Sequence, residues 1–301
     1  MKNKIGFLII TIVIAVTAVS CQHIMAAVDY GAQAAGAVGV IDKNIADAIS
    51  TSSRAIGSAA EEITPEQEYY IGRAVAANIL SNYRIWNGSP AMTAYLNRIC
   101  AAITINSPRP DVFNGYHVAI LDSNDINAFA TSGGHIFVTR GLINAAKSED
   151  ALAGVIAHEI AHIQLQHSIR AIRTSRITQA LMVTGVSAAG AATGMSVNEL
   201  TDVFNESVGE IVSTLVNNGY SQNQEYDADN TAMSLLASAG YSPSGLIDML
   251  RELNTVQTGS SGFGKTHPTP AQRITNAEKT VRNYRVTDTR SYRQARFTLA
   301  R

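Results

Sequence analysis

Cysteine is nearly missing from this chain. Cys21 and Cys100 are the two in 301 residues. Two thiols cannot build a disulfide scaffold or a Cys-rich zinc module, so any metal site must be assembled from His and carboxylate side chains. An excess of charge is missing too: 23 basic residues stand against 24 acidic ones, for a net charge of −1. No basic face is implied, and nucleic acid is not an expected partner. There is no internal repeat, and no apolar run is long enough to be a confident membrane span. What remains is a globular composition, 46% hydrophobic and 16% charged, sufficient for one large domain or two small ones.

The N-terminus reads as an export signal over residues 1–21. Lys2 and Lys4 precede an apolar core of 15 residues, Ile5 to Val19, short for a span and of the right length for a signal. It ends at Ala18-Val19-Ser20-Cys21, which resembles a bacterial lipobox with Ala18 where Leu is usual. Lipidation of Cys21 would anchor the mature chain in a membrane; in enterobacterial lipoproteins Asp at the next position favours inner-membrane retention, so by that resemblance Gln22 implies the outer membrane. Ordinary cleavage and an uncleaved anchor are the alternatives. Cys100 is then an unpaired thiol, expected to be buried. Residues 22–62 are rich in Ala, Gly and Ser and read either as a tether with some helix from about Asp42 to Ile56, or as a packed helical prelude.

The folded domain is expected over 63–287. Thr64 caps a helix with Pro65 at its first position and acidic residues in its first turn, running to about Ser81. A second helix covers Ala91 to Ile103. Tyr116–Leu121 and His135–Thr139 read as strands. Residues 177–219 are weakly apolar and rich in small residues; a flap, a membrane-touching segment and a buried hairpin are all compatible with them. Helices follow at Gln224–Met233, Ser244–Val256 and Ala271–Arg282, and 288–301 reads as a basic, peripheral tail.

One stretch organises the rest. The run from Asp150 to Ile163 has apolar residues at three- and four-residue steps, with Ser148 as N-cap. Within it lies His158-Glu159-Ile160-Ala161-His162. Positions i and i+4 of a helix share a face, so both imidazoles can chelate one ion. Glu159 lies about 100° around the axis, where it can reach a water without ligating the metal. Neutral imidazole suits zinc, and a catalytic zinc keeps one position open. Two His cannot hold such an ion alone. A core helix with two satisfied histidines is the bland alternative, but such a face without metal would strand several buried polar groups. The helix is expected to continue past His167 and Arg170, which puts His167 off the ligand face.

Two further motifs accompany this one: Glu225-Tyr226-Asp227-Ala228-Asp229, and Thr266-His267-Pro268. With the segments Asn127–Ala130 and Gly134–Leu142 they resemble the gluzincin zinc metallopeptidases of peptidase family M48, over about residues 64–285. No tetratricopeptide-like array follows, so the small lipoprotein form of the family is the nearer likeness. The resemblance implies an α+β fold: a mainly helical zincin-type domain with a small mixed sheet over the active-site helix. It implies one zinc per chain, bound by His158, His162 and Glu225, the last 63 residues after His162. Glu159 would be the general base. Asp229 would accept from the far nitrogen of His158. His267 would stabilise the oxyanion or cap the resting metal, with a plain turn histidine as the alternative. The expected activity is hydrolysis of unfolded or misfolded envelope proteins, facing the periplasm, with an extended substrate adding to the strand at 135–139. A chaperone-like holdase with a gated or weak protease site is the rival reading.

Overall fold

The computed structural model describes residues 21–40, 62–174, 219–256, 267 and 270–301, with isolated positions between 42 and 54. The export signal before Cys21, the 177–218 stretch of the expected flap and the loop at 258–265 lie outside the described residues. The chain divides into two compact units, Met1–Glu62 with Ala171–Gly209, and Ile63–Arg170 with Glu210–Arg301. Among the described residues no helix is long and apolar enough to cross a membrane.

In the first unit, helix α1 (Cys21–Ala37) begins well before the helix expected from Asp42. Its many alanines have the highest intrinsic helix propensity, which small size alone conceals when a core is sought. Asp29 ties it to the helical residues beyond, accepting from Arg54 Nε at 2.9 Å and from Ser50 Oγ. Those bonds hold the Asp29 carboxyl down at about 2.

In the second unit, α2 (Pro65–Asn82) starts with a full capping box between Thr64 and Gln67, and α3 (Pro90–Thr104) is capped by Ser89. Three short strands follow: β1 (His117–Leu121), β2 (Ala128–Thr131) and β3 (His135–Thr139). Their order is β1-β3-β2, with β1 parallel and β2 antiparallel to β3. Sequence reading missed β2, whose Ala-Phe-Ala-Thr is too short to show a period. The β2–β3 hairpin turns on Gly133 and Gly134, both at positive φ (80° and 100°) that a side chain would oppose.

The strand order overturns one expectation. β3 is the central strand, paired on both sides, so no peptide can add to 135–139. The outer edge of β1 is also occupied. Trp86 donates its N–H to Ile120 and Asp122 donates to Arg84. The Asn97 side chain imitates a strand, accepting from Val118 N–H at 2.9 Å and donating to its carbonyl at 2.8 Å. β2 has no second strand partner among the described residues.

The sheet is covered on both faces. Val75 and Ile79 of α2 pack with Phe129 and Phe137 on one side. Val118, Ile120, Ile136 and Val138 face the main core on the other. That core is centred on α5 (Glu149–Gln164), buried from Glu149 to Ile163. A short α4 (Arg140–Ala145) leads into it. Around α5 pack α6 (Gln222–Ser238) and α7 (Ser244–Val256), and α8 (Pro270–Thr280) packs on those two. Gly154 is where α5 and α7 touch: a Cβ there would lie 2.7 Å from the Leu246 backbone.

The stretch read as a peripheral tail forms α9 (Arg290–Ala300), with Arg293 and Phe297 buried. Arg293 pairs with Asp150 at 2.9 Å, and Arg296 Nε donates to Glu149 at 3.2 Å. Tyr95 and Tyr241 also donate to Glu149. The two acidic residues that start α5 are thus neutralised from the C-terminal end of the chain. Cys100 is a free, buried thiol, pushed up to about 12 by burial.

Candidate active site

α5 carries His158, Glu159 and His162 on buried turns, each exposed by 2% or less. α6 is started by a Ser221–Gln224 capping box, which fixes the first turn and brings in Glu225 and, one turn on, Asp229. Small Ala228 and Ala232 face α5 in the core and let the two helices approach. His267 reaches the same point from the residues preceding α8.

The nitrogen and oxygen atoms converge. His158 Nε2 and His162 Nε2 are 3.0 Å apart. Glu225 places Oε2 at 3.4 Å from the first and Oε1 at 3.5 Å from the second. Donors about 2.0–2.1 Å from a tetrahedral zinc stand about 3.3 Å from one another, which is the spacing seen. One donor atom each from His158, His162, Glu225 and His267 fit within 4.8 Å. His267 Nδ1 contacts Glu225 at 2.8 Å, while its Nε2 lies 3.9 Å from Glu159 Oε1, beyond hydrogen-bond reach. Glu159 Oε1 is buried with no hydrogen-bond partner among the described residues.

Charge makes the same point. Counted as ionised, Glu159, Glu225 and Asp229 face one buried guanidinium, Arg273, and two negative charges remain for a divalent cation to balance. Arg273 is fully buried. It grips Asp229 with Nη2 at 2.6 Å and Nε at 2.9 Å, and its Nη1 lies 3.2 Å from Glu225. Burial raises the Glu225 and Asp229 carboxyls, but His267 and Arg273 at the first and Arg273 at the second outweigh it, and both are lowered. Burial pushes Glu159 up, against the pull of His267 and His158. Burial holds His162 down to about 3 and therefore neutral, as a ligand must be. For His158, burial and Arg273 oppose charge, yet its bonds to Asp229 and Glu225 prevail and raise it to about 9.

The outer nitrogens of the two helix histidines are also held. His158 Nδ1 is 3.0 Å from Asp229 Oδ1. His162 Nδ1 is 2.8 Å from His167 Nδ1, and Tyr220 stacks on the His162 ring at 4.1 Å. An open cleft reaches the site, lined by Phe129, Ala130 and Thr131 of β2 together with Glu159, Tyr220 and His267.

Sequence reasoning named His158, Glu159, His162, Glu225, Asp229 and His267, and the fold brings all six together. It did not single out Arg273 or Tyr220, and it set His167 outside the ligand set, as the donor cluster also does. Arg273 had a signal: with Pro270 and Ala277 it occupies the buried stripe of α8, where a cation is out of place unless it has a partner. Tyr220, just ahead of the α6 cap, had none.

A buried His-Glu-x-x-His helix, with a carboxylate from a second helix and a cleft opening onto the Glu, defines a zinc metallopeptidase. The comparisons agree. The sequence model of Peptidase family M48 matches residues 90–281. The chain is 31% identical over 188 residues to the metalloprotease LoiP of Escherichia coli, covering 62% of this chain and 70% of that protein. It is 25% identical over 259 residues to the beta-barrel assembly-enhancing protease of Escherichia coli, covering 84% of this chain and 51% of that one. To the mitochondrial metalloendopeptidase OMA1 of Schizosaccharomyces pombe it is 29% identical over 195 residues, 62% of this chain and 52% of that one. It thus spans about half the length of the latter two. The chain belongs to peptidase family M48 and is a zinc metalloendopeptidase.

Proposed function

We propose that this enzyme cuts extended segments of unfolded or misfolded proteins of the bacterial envelope, facing the periplasm from a lipid anchor on Cys21. The anchor and location rest on Lys2, Lys4, the apolar core and the Cys21 motif. The substrate class rests on one observation: β2, whose far edge meets no second strand among the described residues, lines the cleft that holds Glu159 and His267. Thr139 N–H bonds to Asn127 C=O, which sets the antiparallel register. Ala128 and Ala130 therefore turn their own N–H and C=O groups to the outer edge. A peptide pairing there is held by main-chain bonds that are indifferent to sequence, and it must be unfolded over a strand's length.

In this reading His158, His162 and Glu225 hold the zinc. Bound zinc supplies Lewis acidity, activating a water and polarising the scissile carbonyl. Glu159, raised by burial, takes the proton as the water oxygen bonds to the carbonyl carbon. The same carboxyl passes that proton to the amide nitrogen as the C–N bond breaks. Asp229 accepts from His158 Nδ1–H and keeps Nε2 free for the ion. Arg273 holds Asp229 and Glu225 in place. His267 has two uses that its position supports: as a fourth donor that closes the site at rest, and as a donor to the oxyanion once substrate enters.

Glu159→Gln tests the reading. It is expected to retain zinc and to lose about 10²–10⁴-fold in cleavage of an unfolded protein such as casein. Equal cleavage by both proteins would remove Glu159 from its role. If neither cleaves and both suppress aggregation of an unfolded client, the holdase reading replaces this one.

A further inference from the structure

The outer partners of the two zinc-facing imidazoles differ in kind. Asp229, a carboxylate, stands at His158 Nδ1, whereas another imidazole stands at His162 Nδ1, with the two Nδ1 atoms 2.8 Å apart. Two neutral rings in such contact need one N–H and one lone pair between them. His162 Nε2 points with His158 Nε2 towards the shared donor cluster, so its lone pair must lie on Nε2 and its proton on Nδ1. His167 is then the acceptor, and carries its own proton on Nε2.

We propose that His167 is a positioning residue for zinc binding: its Nδ1 accepts the His162 Nδ1–H and fixes the tautomer and ring orientation in which His162 Nε2 meets the ion. The proposal rests on the assignment of His162 as a ligand. The neutrality of this acceptor suits a pocket that already buries Glu159, Glu225 and Asp229. A fourth carboxylate would add a negative charge with no cation to meet it, whereas an imidazole orients the ligand and adds none.

The spacing hides this role. On an unbroken helix, five residues turn the chain through about 140° and carry His167 away from the ligand face. The helix is broken. α5 ends at Gln164, and Gln166 adopts φ 53°, the one non-glycine residue in the left-handed region among those described. Three contacts hold this turn. Gln166 Nε2 donates to Glu68 at 3.2 Å, Arg109 pairs with the same carboxylate at 3.0 Å, and Arg109 Nη1 donates to the Ile163 carbonyl at 3.0 Å. Glu68 is itself buried in the first turn of α2. The turn brings His167 back beneath His162, and Tyr220, stacked at 17° to the His162 ring, closes the other side. A left-handed glutamine just past the metal helix, tied to the buried Glu68 carboxylate, is a local departure from regular backbone that sets where His167 stands.

The test is metal affinity. Full-length protein is stripped of metal and titrated with zinc against a chromophoric chelator. His167→Phe is expected to weaken zinc binding by about 10–100-fold, and His167→Asn, whose Oδ1 can accept the same proton, by less than about threefold. Equal losses in the two variants, or no loss in His167→Phe, overturn the proposal. His162→Ala runs alongside, and wild-type affinity there overturns the ligand assignment instead. Because a buried substitution can unfold the chain, the zinc-loaded wild type is also labelled with nitrogen-15 in its histidine rings. Long-range ring spectra are expected to show His167 protonated at Nε2 and His162 at Nδ1. A proton on His167 Nδ1 overturns the proposal without any mutation.

Discussion

Arg273→Met offers the sharpest test of the charge balance at the site. Methionine fills much of the volume and removes the cation. The guanidinium makes two bonds to Asp229, at 2.6 and 2.9 Å, and lies 3.2 Å from Glu225, with all three side chains fully buried. Breaking a buried pair from one side costs about 3–5 kcal/mol, because the partner charge is left unmatched. For a domain of this size that corresponds to a fall of roughly 6–20 °C in the melting temperature of the metal-free protein. The loss also has a pH signature. Asp229 and Glu225 have folded-state pKa values below their unfolded ones, with Arg273 a leading cause. Groups depressed in this way stabilise the fold above the unfolded pKa, and that stability is lost as pH falls through the folded value. Arg273→Met weakens the depression, so the gap between variant and wild type should be widest near neutrality and narrow below about pH 4. Zinc should narrow it at neutral pH, since the ion still balances Glu225. Calorimetry with and without chelator, at neutral and acidic pH, measures all of this. A fall under about 2 °C at neutral pH, less than 1 kcal/mol, or a gap that ignores pH, would refute the argument.

Other consequences can be checked more simply. Ala130→Pro removes one outward N–H from β2, a change that edge strands tolerate; it should leave zinc content intact while raising KM for unfolded substrates several-fold, and an unchanged KM would move substrate binding away from β2. Deleting residues 288–301 strands Glu149 and Asp150 at the start of α5 and should destabilise the fold by about 3 kcal/mol or more; a truncated protein with unaltered melting would return these residues to the periphery. His267→Ala removes one of four clustered donors, and should weaken zinc binding without abolishing it, as read by chelator competition. The Cys100 thiol, buried and raised to about 12, should resist alkylation in native protein and react once unfolded.

The metal helix could be read from sequence because its chemistry is local: two imidazoles and a carboxylate within five residues, on a helix whose period is plain. Glu225 and Asp229 became readable through the motif around them, since nothing in the spacing shows that α6 crosses α5. The sheet was half legible. β1 and β3 are runs of apolar residues, while β2 is four residues with no period, and strand order is a property of pairing that no single strand encodes. The contact between His167 and His162 was not legible for a specific reason: helical periodicity assumes a continuous helix, and the break at Gln166 is tied to Glu68 and Arg109, far away in sequence. α9 was misjudged because basic residues were counted as solvated, although Arg293 and Arg296 answer two buried acids more than 140 residues earlier.

Among the described residues, Asn97 and the segment with Arg84 and Trp86 close the outer edge of β1, and the far edge of β2 is the one without a strand partner. An uncovered strand is ordinarily a hazard, a place where a second molecule can dock and begin a fibre. Here the outer edge of β1 is sealed by backbone bonds and an amide, and the far edge of β2 lies along the cleft that holds Glu159. On the proposed reading, whatever settles there, including another copy of the enzyme that has come partly undone, would present its backbone to hydrolysis. On the proposed reading, the surface that invites aggregation is the one that hydrolysis would keep clear, and a Glu159→Gln population is where such self-association should first become visible.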